Sequence, residues 1–367
     1  MPLKTLTGKH ADPRKGRGAG INPEGRFEEV EREAFDDGWN TPDDELPPLK
    51  TQVTAERVAS IISRNDSPDV PFTQSINPYQ GCEVGCAYCY ARPTHAYRNL
   101  SPGIDFETRL FAKVNAAEML REELSRPGYR CEVISIGANT DPYQPIEREW
   151  NVTRGILEVL AECDHPFGIV TKNAMVERDL DILVPMARKN LVNVFISLNN
   201  LEHELARKME PRCSAPARRL QAMRTLSGAG VPVGVLCAPV IPFLNDHQIE
   251  AVLEAAWEHG ARQAGYVLMR LPWEVKDLFK DWLERHYPLK AKHVMSRVHA
   301  MRGGRDNDPN FGSRMRGTGE LAALLAQRFK KACKRLGFNA DPRNGSLDTT
   351  QFRRPERYGQ LSLFAEK

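Results

Sequence analysis

The sequence predicts an α/β fold built on a parallel sheet, and three observations carry that prediction. Between Gln74 and about Arg285, short β-branched apolar runs recur. Longer amphipathic stretches alternate with them, and no self-similar period points to a solenoid. The strand candidates are Gln74–Asn77, Val133–Gly137, Phe167–Thr171, Val192–Leu198, Val231–Ala238 and Gly265–Leu271. Helical patterns fall between them at Val114–Leu124, Arg154–Glu162, Arg178–Lys189, Ala215–Ala229 and Asp246–His259. Six strands with five intervening helices fit a curved, partial (β/α)6 barrel; a doubly wound open sheet fits the same periodicity.

The flanks differ from this core. Residues 1–68 are rich in Gly, Pro and charge, include the acidic stretch Glu28–Glu45, and read as an extended N-terminal arm with one short helix at Ala55–Ser63. Residues 69–290 form the core. The rhythm breaks after Leu271, and residues 291–355 form a basic C-terminal extension. In it Met301–Gly319 reads as a Gly-rich loop or hairpin, followed by a helix at Glu320–Leu336. Residues 356–367 read as a flexible tail.

Composition excludes several classes of protein. Hydrophobic residues make up 41% and charged residues 27% of the 367, and no apolar run is long enough to span a membrane. The basic N-terminus lacks the apolar stretch of a secretory signal, so the expected location is cytoplasmic and the eight cysteines are read as reduced. The net charge is +3, but from Lys292 to Arg357 there are 15 Lys and Arg against 6 Asp and Glu, so the positive charge is C-terminal.

Cys131, Cys163, Cys213, Cys237 and Cys333 are scattered singly and read as small buried or idle thiols. Cys82, Cys86 and Cys89 are clustered in GCEVGCAYCY, with Cys-x3-Cys-x2-Cys spacing, in the loop after the first strand candidate. Three such thiolates can close around one face of a [4Fe–4S] cluster and leave the fourth iron open. That iron can chelate the amino and carboxylate groups of S-adenosylmethionine, whose reductive cleavage yields a 5′-deoxyadenosyl radical. A structural zinc wants four ligands, and only His95 lies near enough in sequence to serve as the fourth. A disulfide is disfavoured by compartment and by the odd count of the cluster.

With Tyr88 preceding the last cysteine, this loop resembles the hallmark of the radical S-adenosylmethionine superfamily. SINPYQGCEVGCAYCYARPTH, GANTDPYQPIE, VTKNA and APVIPFLND together resemble uncharacterised bacterial relatives of spore photoproduct lyase, over about residues 60–355. The resemblance implies the partial (β/α)6 barrel of the radical SAM type. It also implies cofactor contacts from Tyr88, Tyr90, Thr140, Asp141, Lys172, Ser197 and the backbone of Ala238. All but the two tyrosines fall at the C-terminal end of a predicted strand, where α/β barrels gather their chemistry. Taken singly, Lys172 and Ser197 also read as satisfied strand-end polar groups, and Asp141 as a helix N-cap. One departure is plain. Where the lyases carry a hydrogen-donating cysteine, this chain has Ala138, and Cys131 lies at the other end of the strand.

Arg302, Arg305, Arg314 and Arg316 stand in a Gly-rich context with Phe311 among them, and Lys330, Lys331, Lys334 and Arg335 follow on a helix. Cations on a flexible backbone suit phosphate contacts, and an interleaved aromatic can stack on a base; a solvated basic face has the same composition. In the resembling lyases this region carries a nucleic-acid-binding hairpin. Near the end, Gln360-Leu361-Ser362-Leu363-Phe364 resembles the bacterial sliding-clamp-binding pentapeptide. The combined reading is a radical enzyme acting on a damaged or modified DNA base, reduced by a protein such as flavodoxin or ferredoxin. The alternatives are a radical enzyme acting on tRNA or a small molecule, and a non-catalytic iron–sulfur redox sensor.

Overall fold

The computed structural model describes residues 16–27, 49–340 and 346–355. Ten strands are present among them: β1 (Gln52–Glu56), β2 (Ile62–Arg64), β3 (Gln74–Ile76), β4 (Tyr79–Gln80), β5 (Arg109–Lys113), β6 (Ile134–Ile136), β7 (Phe167–Thr171), β8 (Val192–Ser197), β9 (Val233–Val240) and β10 (Gln263–Leu268). Six of them, β3, β6, β7, β8, β9 and β10, pair in that order and all in parallel. β2 adds an antiparallel edge to β3. The sheet is therefore open between β10 and β2, with the strand count of the expected partial barrel. Helices Ala116–Ser125, Val152–Glu162, Leu180–Arg188, Pro216–Gly228 and Ile249–Glu258 fill the five crossovers, each within a few residues of its predicted span.

Periodicity works here because the strands are buried on alternating or on both faces. Ile134, Ile136, Val192, Val194, Ile196 and Val235 are fully buried and belong to one core with Leu120, Ile156, Leu160, Leu183 and Leu253 from the helices. Each such side chain contributes about 1.5–3 kcal/mol relative to exposure.

The helix expected at Ala55–Ser63 is absent. The segment instead leaves β1, which pairs in parallel with β5, and enters β2, which pairs with β3. Tertiary partners satisfy the intervening backbone: Asn115 bonds both the N–H and the C=O of Val58 at 2.9 Å, and Glu123 accepts from Ile61 N at 2.6 Å. These bonds, together with the ladder to β5, replace the local ones a short helix would have made. Two helices not anticipated from the sequence, Val275–His286 and Pro288–Ala300, follow β10, and the anticipated C-terminal helix runs Gly319–Leu336.

Those two helices build a second apolar cluster, in which Phe279, Trp282, Leu283 and Val294 pack with Cys82, Val84, Cys86 and Tyr88. It is this cluster that seats the cysteine loop.

Candidate iron–sulfur and cofactor site

The loop turns where only glycine fits. Gly81 and Gly85 have φ of +76° and +70°, and a Cβ on Gly85 would lie 2.7 Å from the carboxylate of Glu107. Backbone bonds hold the path: Cys82 N to Phe106 O at 2.9 Å, Ala87 N to Met209 O at 3.0 Å, and Glu83 N to Gln144 Oε1 at 2.8 Å. Cys82 and Cys86 are buried, and Cys89 is half-buried. Burial pushes the Cys82 and Cys86 thiols well up; Lys172 opposes this at Cys86. Cys82 and Cys86 are therefore held as thiols in the apo chain, and metal must displace their protons.

The donor set fits a polynuclear cluster. Three thiols of one loop, Cys82 and Cys86 within the second apolar cluster and Cys89 packed against it, suit a group in which each thiolate takes a different iron, whereas a structural zinc site takes four donors on one centre. His95 is not a ligand. It is fully buried, its Nε2 lies 2.9 Å from Arg109 O, and its ring packs on Phe106 and Phe111.

Two buried ion pairs brace the loop. Arg92 Nε donates to Cys86 O at 2.9 Å, and its Nη2 pairs with Glu107, both side chains being fully buried. Glu107 in turn accepts from Gly18 N at 3.0 Å and Ala19 N at 2.8 Å, so the described part of the N-terminal arm is strapped across the loop. On the other side Arg219 pairs with Glu210, and Glu210 accepts from the Tyr88 hydroxyl. Desolvation acts against the Glu210 carboxylate, yet Arg219 and Lys172 hold it ionised, below the usual carboxylate range.

The residues expected to meet the cofactor gather at this end of the sheet. Thr140 Oγ1 donates to Tyr79 O at 2.9 Å. Asp141 accepts from Thr171 Oγ1 at 2.7 Å, Tyr143 N at 2.9 Å and Lys172 N at 2.8 Å, so its carboxylate braces the end of β7 as well as facing the loop. Burial works against the Lys172 ammonium, but Cys86, Glu210 and Asp141 outweigh it and raise its pKa. Ser197 is buried at the end of β8, where Arg219 binds its carbonyl at 2.9 Å. Ala238 precedes a cis peptide bond to Pro239 within β9. Tyr90 is 46% exposed, and its hydroxyl donates to the carbonyl of Ala138.

The four C-terminal arginines separate. Arg305 and Arg316 are exposed. Arg314 pairs with Asp69 and lies 4.3 Å from the ring centroid of Phe311, which is 57% exposed. Arg302 must be corrected: it is 3% exposed and donates to the carbonyls of Ser313, Arg314, Leu268 and Met269, so it is an internal brace and not a phosphate contact. The region is a turn-rich loop tied to β10 through Leu268 N to Met315 O at 2.9 Å, not a strand hairpin. The tail residues Gln360, Leu361, Leu363 and Phe364 lie outside the described residues.

Sequence reasoning missed Glu107, Arg92, Glu210, Arg219 and Cys213. Cys213, taken as an idle thiol, lies 3.1 Å from Glu210 O beside the buried ion pair, and burial pushes it up to about 12. Arg92 lies within the cysteine motif without being singled out there; its partner Glu107 is 15 residues away and Arg219 is nine from Glu210, separations that match neither a helical nor a strand period. Among the described residues no helix is long and apolar enough to cross a membrane.

Comparison with known proteins agrees with this geometry. The Radical SAM superfamily matches residues 76–256. An uncharacterized protein of Mycobacterium tuberculosis is 36% identical over 266 residues, covering 72% of this chain and 76% of that protein. One of Methanocaldococcus jannaschii is 27% identical over 213 residues, covering 58% and 76%. Among solved structures, spore photoproduct lyase complexed with dinucleoside spore photoproduct superposes with a TM-score of 0.58 at 16% identity, covering 78% of this chain and 80% of that one. A variant of the lyase with bound AdoMet and the same dinucleoside gives 0.55 at 18% identity, with the same coverage.

Proposed function

Because the chain belongs to the radical SAM superfamily, whose enzymes use a [4Fe–4S] cluster and S-adenosylmethionine, we propose that its chemistry is directed at DNA, at a damaged or modified base. The cofactors supply a 5′-deoxyadenosyl radical when bound. The chain's part is to hold them: Cys82, Cys86 and Cys89 as iron ligands, Tyr88, Tyr90, Thr140, Asp141, Lys172, Ser197 and Ala238 around the adenosyl and methionyl groups.

The observation that carries the DNA reading is the exposed loop tied to the end of β10. Its Phe311, with Arg314 over the ring and Arg305 and Arg316 exposed on the same loop, offers an aromatic face and phosphate-seeking cations at the cluster end of the sheet. The structural neighbours bound to a dinucleoside photoproduct support the same class of substrate. A base in duplex DNA would have to be flipped out or presented single-stranded to reach the barrel mouth.

Ala138 leaves the site without the lyase thiol. The product radical is then quenched by another donor, either a tyrosine, for which Tyr90 is placed beside Ala138, or recycled 5′-deoxyadenosine. Electrons come from a low-potential carrier such as flavodoxin or ferredoxin. The Gln360–Phe364 motif recruits the enzyme to the sliding clamp, which places its work in the cytoplasm.

The deciding experiment is anaerobic turnover with dithionite and S-adenosylmethionine. Ultraviolet-irradiated DNA or chemically modified oligonucleotides should raise 5′-deoxyadenosine formation above the uncoupled level. Stimulation by tRNA or small metabolites alone would reject DNA as the substrate.

A further inference from the structure

The sixth parallel strand ends at a cation that the fold does not balance. Arg270 lies two residues beyond β10, its guanidinium carbon 5.6 Å from the ring centroid of Tyr90, the residue after the cluster ligand Cys89. Among the described residues its side chain makes one hydrogen bond, from Nη1 to the Met315 sulfur at 3.6 Å, and its Nε is buried without an acceptor. Asp69, whose charge it feels, is taken by Arg314 and by Gly312 N at 2.6 Å. The Nε of neighbouring Arg302 is likewise buried without an acceptor. Arg270, Arg302 and Arg314 thus share one corner with Asp69 and Asp308, and the guanidiniums repel one another.

A half-buried guanidinium with a sealed, unbonded Nε is unfavourable, and an apolar side chain would serve this corner better if stability were the only demand. Arg270 Nη2 has no acceptor among the described residues and is not sealed like Nε, so the outer end of a planar fork, held beside the exposed Tyr90 ring, is open to an oxyanion from solvent. We propose that Arg270 anchors an oxyanion at the barrel mouth, and that this oxyanion is a phosphodiester of the nucleic-acid substrate, which rests on the DNA reading above. Bound there, the phosphate would sit against Tyr90, whose hydroxyl reaches the Ala138 carbonyl at the end of β6. The adjoining base would then lie at the rim where the cofactor residues gather.

The test compares Arg270→Gln and Arg270→Lys with wild type in the anaerobic, cluster-loaded full chain, with three readouts: affinity for a fluorescent single-stranded oligonucleotide across a salt series, affinity for S-adenosylmethionine, and melting temperature in inorganic phosphate against chloride at equal ionic strength. Arg270→Gln should weaken oligonucleotide binding about tenfold and lower the salt slope by about one, while Arg270→Lys keeps most of the slope. Cofactor affinity should not change. Phosphate should raise the melting temperature of wild type and not of Arg270→Gln. Unchanged oligonucleotide affinity and slope would overturn the proposal. So would loss of cofactor affinity with oligonucleotide binding intact, which would assign Arg270 to the methionyl carboxylate. Should wild type bind no oligonucleotide while phosphate still stabilises it through Arg270, the DNA reading falls and the anion site stands.

Discussion

The two ends of the parallel sheet handle charge in opposite ways. At the N-terminal end of the strands, polar groups close on one another. The Tyr129 hydroxyl lies 2.9 Å from Gln74 Oε1 and 2.7 Å from His165 Nε2, Phe352 covers both rings edge-on, and Asp164 takes Lys189 at 2.5 Å and Arg353 at 2.6 Å. At the C-terminal end three thiols are clustered. Among the described residues neither Lys172 nor Arg270 makes an ion pair, and two guanidinium Nε atoms lack acceptors. The first end pairs its charges within the fold and leaves, among the described residues, only a neutral amide, Gln263 Nε2, unbonded at the start of β10. The second pairs Arg92 and Arg219 but leaves Lys172 and Arg270 without carboxylate partners, and that surplus of cation beside the thiols is what marks it as the candidate site.

The largest effect should come from the cysteine loop. Cys86→Ala should reduce anaerobic iron content from about four per chain to near background and abolish 5′-deoxyadenosine formation, read by iron assay and chromatography. A variant that keeps a full complement of metal, zinc in particular, would erase the distinction between the two ends.

Next is the sealed ion pair beneath the loop. Arg219→Met removes the ion-pair partner of buried Glu210, leaving only Lys172 and the Tyr88 hydroxyl to offset its charge, and should cost about 3 kcal/mol in denaturant unfolding of the apo chain, whereas adding Glu210→Leu should recover much of it. A single-variant cost below about 1 kcal/mol would mean that the pair is open to water.

A pH series sharpens the comparison, because each end holds a buried histidine. Burial pushes His95 near the loop and His165 at the opposite end down to about 4, from an ordinary value of 6.5. The unfolded chain therefore binds more protons between those values. The stabilisation is fully present above pH 6.5 and is lost as pH falls toward 4, by roughly 3 kcal/mol at most for each residue. His165→Gln should flatten part of the acid limb of a melting-temperature profile; an unaltered limb would show that His165 titrates as if exposed.

Smaller effects belong to the rim. Combined Arg305→Ala, Arg316→Ala and Phe311→Ala should weaken DNA binding by about tenfold and lower the salt slope by about two, with the melting temperature unchanged. Unchanged binding would assign this loop to solvent. Smallest for the enzyme itself is the tail: Leu363→Ala with Phe364→Ala should remove most binding of a GQLSLFAEK peptide to the sliding clamp, with cluster content and melting unaffected. Equal clamp binding by the doubly substituted peptide would make the motif a chance resemblance.

The sequence by itself determined the six parallel strands, the five crossover helices and the cluster of three cysteines proposed as iron ligands. Each depends on information local in the chain: a two- or 3.6-residue apolar period, or ligands within eight residues of one another. It could not place Ala55–Ser63, where bonds from Asn115 and Glu123 outcompete a local helix. Nor could it tell Arg302, whose Nη groups are spent on four carbonyls, from Arg305 three residues later, which is exposed. Only the tertiary structure decided which charges meet. Arg92 with Glu107 and Arg219 with Glu210 brace the loop, while Arg270 is left without a carboxylate partner of its own. Each of those two pairs closes within one connection, 15 and 9 residues apart, yet the irregular path of that connection leaves no periodic trace in the order of residues. Burial is what makes the pairing matter, and burial is set by the elements that pack around it.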